Sequence, residues 1–121
     1  MATLSLIVLR CVDLEASRTF YAALGLCFET EQHGNGPVHY SCQLGDLVLE
    51  LYPGKPGSAP ARTVGGATMH GFRVTSLDAV LSSLRVQQAE IVHPPSDSPW
   101  GRRAIVLDPD GRAVELTQMP E

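Results

Sequence analysis

Positive charge is scarce and scattered in this chain. Nine Lys and Arg face thirteen Asp and Glu, giving a formal charge of −4 with no basic cluster. Nucleic acid needs a cationic surface that replaces phosphate counterions, so that class of partner is excluded from the expectation. Long apolar runs are also missing. None approaches the roughly 20 residues that span a bilayer, and no charged-then-apolar leader opens the chain. A soluble cytoplasmic protein is therefore expected. Cysteine is sparse: Cys11, Cys27 and Cys42 are an odd number without metal-like spacing, two of them within apolar strand patterns. They read as small reduced residues in a reducing compartment rather than as disulfides, ligands or nucleophiles. No Ser, His, Asp arrangement and no phosphate-binding loop stands out. A small-molecule partner is the expectation that remains.

What the chain does have is one pattern carried twice. At 121 residues it is long enough for a single domain with its own core. The first copy runs from Leu6 to Asp13, continues as a helix over Leu14 to Leu24 and ends on Leu47, Val48, Leu49, Glu50, Leu51. The second runs from Met69 to Ser76, continues over Leu77 to Val86 and ends on Arg112, Ala113, Val114, Glu115, Leu116. Aligning Cys11 with Val74 also aligns Leu6 with Met69, Arg10 with Arg73 and Leu14 with Leu77. A two-residue difference in loop length then brings Glu50 onto Glu115. Each copy thus ends on a carboxylate inside an apolar strand.

Local signals divide each copy into elements. Asp13 and Ser76 are suited to cap the helices that follow them, and Leu77, Val80, Leu81 and Leu84 follow an i, i+3, i+4, i+7 stripe. Gly25 suits a left-handed stop after Leu24. Strands are expected at Leu4 to Arg10, Leu26 to Gln32, Val38 to Leu44 and Leu47 to Tyr52, with a glycine turn at residues 34–37. The second copy predicts strands at Ala67 to Thr75, Glu90 to His93, Arg103 to Leu107 and Arg112 to Gln118, with a loop over Pro94 to Gly101. Asp108, Pro109, Asp110 and Gly111 form a tight turn. The expected domain covers residues 1–121: module one about 1–53, a Pro- and Gly-rich linker about 54–66, and module two about 67–121.

Asp13, Leu14, Glu15, Ala16, Ser17 with Phe20, Tyr21, then Leu24, Gly25, Leu26, then Glu50, Leu51, Tyr52, Pro53, then Trp100, Gly101, and Asp108, Pro109, Asp110, Gly111 with Val114, Glu115, Leu116 together resemble the vicinal oxygen chelate superfamily. That superfamily includes glyoxalase I, bleomycin resistance proteins and extradiol dioxygenases. The resemblance covers nearly the whole chain and implies an α+β fold of two tandem βαβββ modules whose curled sheets form a cleft, often in a homodimer. It does not by itself imply a reaction. Metal-dependent members use a residue, usually histidine, in the first strand of each module and a carboxylate in each last strand. Those four groups hold a divalent ion that chelates neighbouring substrate oxygens. By this resemblance the carboxylates correspond to Glu50 and Glu115, whereas the histidine positions hold Leu6 and Met69.

The remaining polar residues are weighed by strand alternation. His70 lies one residue from the Met69 position, and a one-residue displacement turns a side chain to the opposite face. If Met69, Gly71 and Arg73 face the cleft, His70 and Phe72 face the helices, unless a bulge at Gly71 restores His70. One of His39 and Tyr40 faces the cleft; His33 sits beside the glycine turn, and His93 is expected at a loop edge. Glu50 and Glu115 are either satisfied by Arg10 and Arg73 or left to meet a cation. Trp100 either stacks on a planar ligand, with Arg102 or Arg103 meeting an anion, or plugs the end of the sheet.

Two functions follow. One is a metal-free binding protein, resembling bleomycin resistance proteins, with a cleft of Leu6, Val8, Arg10, Tyr40, Glu50, Tyr52, Met69, Arg73, Trp100 and Glu115. The other is a lyase or isomerase of glyoxalase type, or a dioxygenase-like enzyme. Its candidate catalytic residues are Glu50, Glu115 and His39, and its reduced metal set is Glu50 and Glu115 with His70 or His39. No cofactor is favoured; Ni, Zn, Mn or Fe would suit the second reading. The binding reading is preferred, because two carboxylates alone hold a transition metal poorly.

Overall fold

The structure is a computed structural model that describes residues 1–55 and 68–119. The first module begins with strand β1 (Leu6–Cys11) and helix α1 (Leu14–Ala23). It continues with β2 (Glu29–Glu31), β3 (His39–Leu44) and β4 (Leu47–Pro53). The second repeats the order with β5 (His70–Arg73), α2 (Leu77–Val86), β6 (Ile91–Ser98), β7 (Gly101–Leu107) and β8 (Ala113–Gln118). Each module builds its own four-stranded sheet, ordered β1-β4-β3-β2 and β5-β8-β7-β6. In both, the first strand pairs parallel with the last, and the remaining pairs are antiparallel. The two tandem βαβββ modules and the α+β class agree with the expectation from sequence.

Both helices start where short polar side chains satisfy the free amides of the first turn. Asp13 accepts from the Ala16 amide at 3.0 Å, and Ser76 accepts from the Ala79 amide at 3.2 Å. They stop differently. The residue beyond the cap is Gly25 in α1, with φ of 102°, but Gln88 in α2, with φ of 61°. Gln88 is the one non-glycine with positive φ among the described residues.

One apolar core unites the modules. Phe20, Tyr21 and Leu24 of the first helical segment meet Leu77, Leu81 and Leu84 of α2, with Leu49, Leu51, Val106, Val114 and Leu116 from the two sheets. Each sheet therefore has a helix-side face and an open face, and alternation assigns every strand residue to one of them.

Three strands differ from expectation by more than two residues at an end. β2 is three residues long: Leu26 and Phe28 pack against the core ahead of the ladder and take no part in it. β5 is confined to His70–Arg73. β6 continues through Pro94 and Pro95 to Ser98, where a loop was expected. Two register shifts, between Ile91 and His93 and between His93 and Ser96, accommodate those residues. Proline is tolerated because β6 is an edge strand, where a missing amide donor costs no ladder bond. Of the expected linker, Gly54 and Lys55 are described; its other residues, and Ala67 of the expected strand, lie outside the described residues.

Candidate functional site

On the open face of the first sheet, β1 and β4 run side by side with Leu6 opposite Val48, Val8 opposite Glu50 and Arg10 opposite Tyr52. Ser41 of β3 pairs with Glu50, which puts His39 on the same face. The His39 ring stacks on Tyr52 with centroids 4.0 Å apart and planes 11° from parallel. Arg10 lies over the Tyr52 ring at 5.0 Å, and the His33 ring is 5.2 Å from His39. A cation, a phenol and an imidazole are thereby grouped beside Glu50.

His39 is 1 % exposed, and its Nε2 lies 3.4 Å from Glu50 Oε2. Its other ring nitrogen is 3.2 Å from the Pro37 carbonyl, which can only accept, so Nδ1 carries a proton. Glu31 pairs with His39 across β2 and β3. One donor atom from each of Glu31, His39 and Glu50 falls within 4.8 Å of the others. The sequence reading missed Glu31. It sits at the end of a three-residue strand whose register against His39 only the ladder reveals.

The open face of the second sheet is arranged differently. Glu115 lies between Gly71 of β5 and Ile105 of β7, and its Oε1 accepts from Arg103 Nε at 2.7 Å. The partner is not Arg73, the expectation from the repeat. Arg102, the neighbouring candidate for an anion, pairs instead with Asp78 at 3.0 Å. Gly71 sits in a regular ladder, so no bulge is present there. A Cβ on it would meet the Glu115 carbonyl at 3.4 Å, consistent with a close backbone approach.

Regular pairing also decides the fate of two candidates. His70 pairs with Val114 and faces the helices, on the side of β5 opposite to Gly71 and Glu115. Its ring therefore lies on the wrong side of the strand to ligate an ion beside Glu50 and Glu115. The Tyr21 hydroxyl donates to Asp108 Oδ2 at 2.6 Å, so its oxygen is left to accept from His70 Nε2 at 2.9 Å. Burial pushes the His70 pKa below 6.5, with Asp108 acting in the opposite direction. Burial first, and then the Asp108 charge, hold the Tyr21 hydroxyl well above its ordinary value. Tyr40 likewise faces the helices, where its hydroxyl donates to Glu15 of α1. His39 takes the expected place of Tyr40 on the open face, because Tyr40 pairs with buried Leu51 and Ser41 with Glu50.

Trp100, in the turn between β6 and β7, is 73 % exposed and does not plug the sheet. His93 lies within β6, exposed, and lines a small hollow of about 300 Å³ with Pro94, Pro95 and Arg103. A larger hollow of about 660 Å³ lies on the helix side, among Asp13, Glu15, Phe20, Gln87 and Asp108.

Leu6 is 50 % exposed and Met69 45 % exposed, each at the position that the superfamily resemblance gives to a histidine. Neither offers a lone pair suited to a hard or borderline cation, and Glu115 is committed to Arg103. The four-group metal centre of the metal-dependent members does not fit these residues.

Repeated βαβββ units with a carboxylate in each closing strand define a class of paired-module α+β proteins. Within it, the Glyoxalase/Bleomycin resistance protein/Dioxygenase superfamily is matched over residues 3–116, and the chain belongs to that superfamily. No curated protein is significantly similar to it. Among solved structures it is similar to a glyoxalase/dioxygenase from Nostoc punctiforme, at 25 % identity and a TM-score of 0.76, covering 98 % of this chain and 92 % of that one. It is also similar to TnmS3, an antibiotic binding protein from Streptomyces sp. CB03234, at 23 % identity and a TM-score of 0.70, covering 99 % and 98 %. A glyoxylase/bleomycin resistance protein/dioxygenase domain from Frankia sp. EAN1pec matches at 23 % identity and a TM-score of 0.71, covering 99 % of each chain.

Proposed function

We propose that this chain binds a small, partly aromatic molecule on the open faces of its sheets, as a sequestration or resistance protein, without the four-group metal centre of its metal-dependent relatives. The observation that carries this reading is the pair of half-exposed apolar side chains, Leu6 and Met69, where metal-dependent members place histidines. Apolar surface with a few convergent polar groups is what a small-molecule site requires. Arg10, Tyr52 and His39 supply stacked planar groups, Val8 apolar surface, and Glu50 an acceptor. Met69, Arg73, Glu115 and the exposed Trp100 contribute the second module's share. The structural likeness to an antibiotic binding protein supports the same reading.

The working form is a homodimer. β1 and β5 each end a sheet with one edge unpaired among the described residues, and edges of that kind seek cover. No helix among the described residues is long and apolar enough to cross a membrane, and the three cysteines are free thiols, which suits the cytoplasm.

Calorimetric titration of chelator-treated protein with planar aromatic antibiotics tests the reading. Binding without metal, weakened at least tenfold by Leu6→Asp and by Met69→Asp, is the expected result. Binding that requires a divalent metal, or turnover of a glyoxalase-type substrate, would replace it with the enzyme reading. Retention of both Glu50 and Glu115 favours that alternative.

A further inference from the structure

We infer that the first sheet alone carries a divalent-cation site, formed by Glu31, His39 and Glu50, which shares Glu50 with the position that spans both modules in metal-dependent relatives but takes no residue from the second module. The three side chains come from adjacent strands β2, β3 and β4 and share the open face. Two carboxylates by themselves would be an ordinary acidic surface. The imidazole between them supplies the second observation.

His39 is 1 % exposed, and its Nε2 has no hydrogen-bond partner. Because Nδ1–H is engaged by the Pro37 carbonyl, the neutral ring presents a lone pair at Nε2. In that neutral form Nε2 lies 3.4 Å from Glu50 Oε2, acceptor beside acceptor. Such an arrangement is satisfied by a cation held between the two atoms. Backbone fixation of the far ring nitrogen is also how metal-binding histidines are oriented. Stacking on Tyr52 at 4.0 Å holds the ring plane, so the donor is placed before any ion arrives.

The dimensions are compatible. Metal–ligand bonds of about 2.0–2.2 Å set donors roughly 3.4 Å apart in a tetrahedron, and these three lie within 4.8 Å of one another. Rotation of the partly exposed carboxylates closes the difference. One nitrogen and carboxylate oxygens suit Mn²⁺, Co²⁺, Ni²⁺ or Zn²⁺, and three protein donors leave coordination positions open to water or to a ligand oxygen. The competing occupant is a proton on Nε2, which would turn the contact into an imidazolium–carboxylate pair.

Titration of the full chain with Co²⁺ alone, followed by calorimetry and visible absorption, decides between them. Cobalt is chosen because a thiolate charge-transfer band would expose adventitious binding at exposed Cys27. The expected result is one ion per chain, no thiolate band, and affinity lowered at least tenfold by Glu31→Gln and by Glu50→Gln but less than twofold by Glu115→Gln. Glu31→Gln lies at the end of a short strand and keeps the test open if substitution of His39 unfolds the sheet. No binding at hundreds of micromolar Co²⁺, binding indifferent to Glu31, or dependence on Glu115 would each overturn the inference. This test contains no organic ligand and the ligand test contains no metal, so either proposal can fail alone.

Discussion

At the scale of single residues, Asp108 ties its own turn to Tyr21 of the first module. It is 4 % exposed, yet every oxygen lone pair it offers is used. Oδ2 accepts from Tyr21 Oη at 2.6 Å and Arg112 Nη1 at 2.9 Å, while Oδ1 accepts the amides of Asp110 and Arg112, both at 2.9 Å. For Arg112 burial works against the charge, but the contacts with Asp108 outweigh it, and its pKa is raised. Asp108→Asn keeps the size but takes from the half-buried Arg112 guanidinium the nearer of its two carboxylates, leaving Asp110 at 3.4 Å. A loss of about 3 kcal/mol is expected from breaking one side of such a pair, measured by urea unfolding. The turn was legible from Asp108, Pro109, Asp110 and Gly111, but the network was not. Its partners Tyr21 and His70 lie far away in sequence, and nothing local indicates which buried hydroxyl will meet which carboxylate. Glu31 was hidden by the register of its short strand against His39, whereas the repeat itself made Glu50 and Glu115 visible.

At the scale of elements, sequence signals succeeded where they were local and failed where pairing decided. The α2 range was read correctly because its apolar stripe and Ser76 cap are contained within it. β6 was cut short because Pro94 and Pro95 normally argue against a strand; only its edge position and two register shifts make room for them. The helix stops give a direct test. Gly25 and Gln88 occupy equivalent positions after the two helices, both with positive φ. A side chain in that conformation costs about 1 kcal/mol relative to glycine. Gln88→Gly is accordingly expected to raise the unfolding free energy by about 0.5–1 kcal/mol, and Gly25→Ala to lower it by about 1 kcal/mol. Thermal or urea unfolding of both variants would check the opposite signs. Equal signs would mean that the left-handed residues do not limit stability there.

At the scale of the whole molecule, the modules are clasped together as well as packed. Tyr21 of α1 joins His70 and Asp108 of the second module, the Val12 amide donates to Asp110 Oδ1 at 3.1 Å, and Arg112 Nη2 donates to the Arg10 carbonyl. Because His70 lies within this clasp, its protonation is coupled to the stability of the whole chain. Burial lowers its folded pKa below 6.5. Between the folded value and 6.5, the unfolded chain binds a proton that the folded chain refuses, so stability rises with pH across that window. The contribution is present in full above pH 6.5 and is lost as pH falls through the folded pKa, beyond which the loss levels off. His70→Gln can present an amide donor to Tyr21 without titrating. Unfolding curves from pH 8 down to pH 5 should show a smaller acid loss for this variant than for the parent chain. An identical pH profile would mean that His70 is not the group that couples acid to unfolding, leaving the clasp to act through its carboxylates alone.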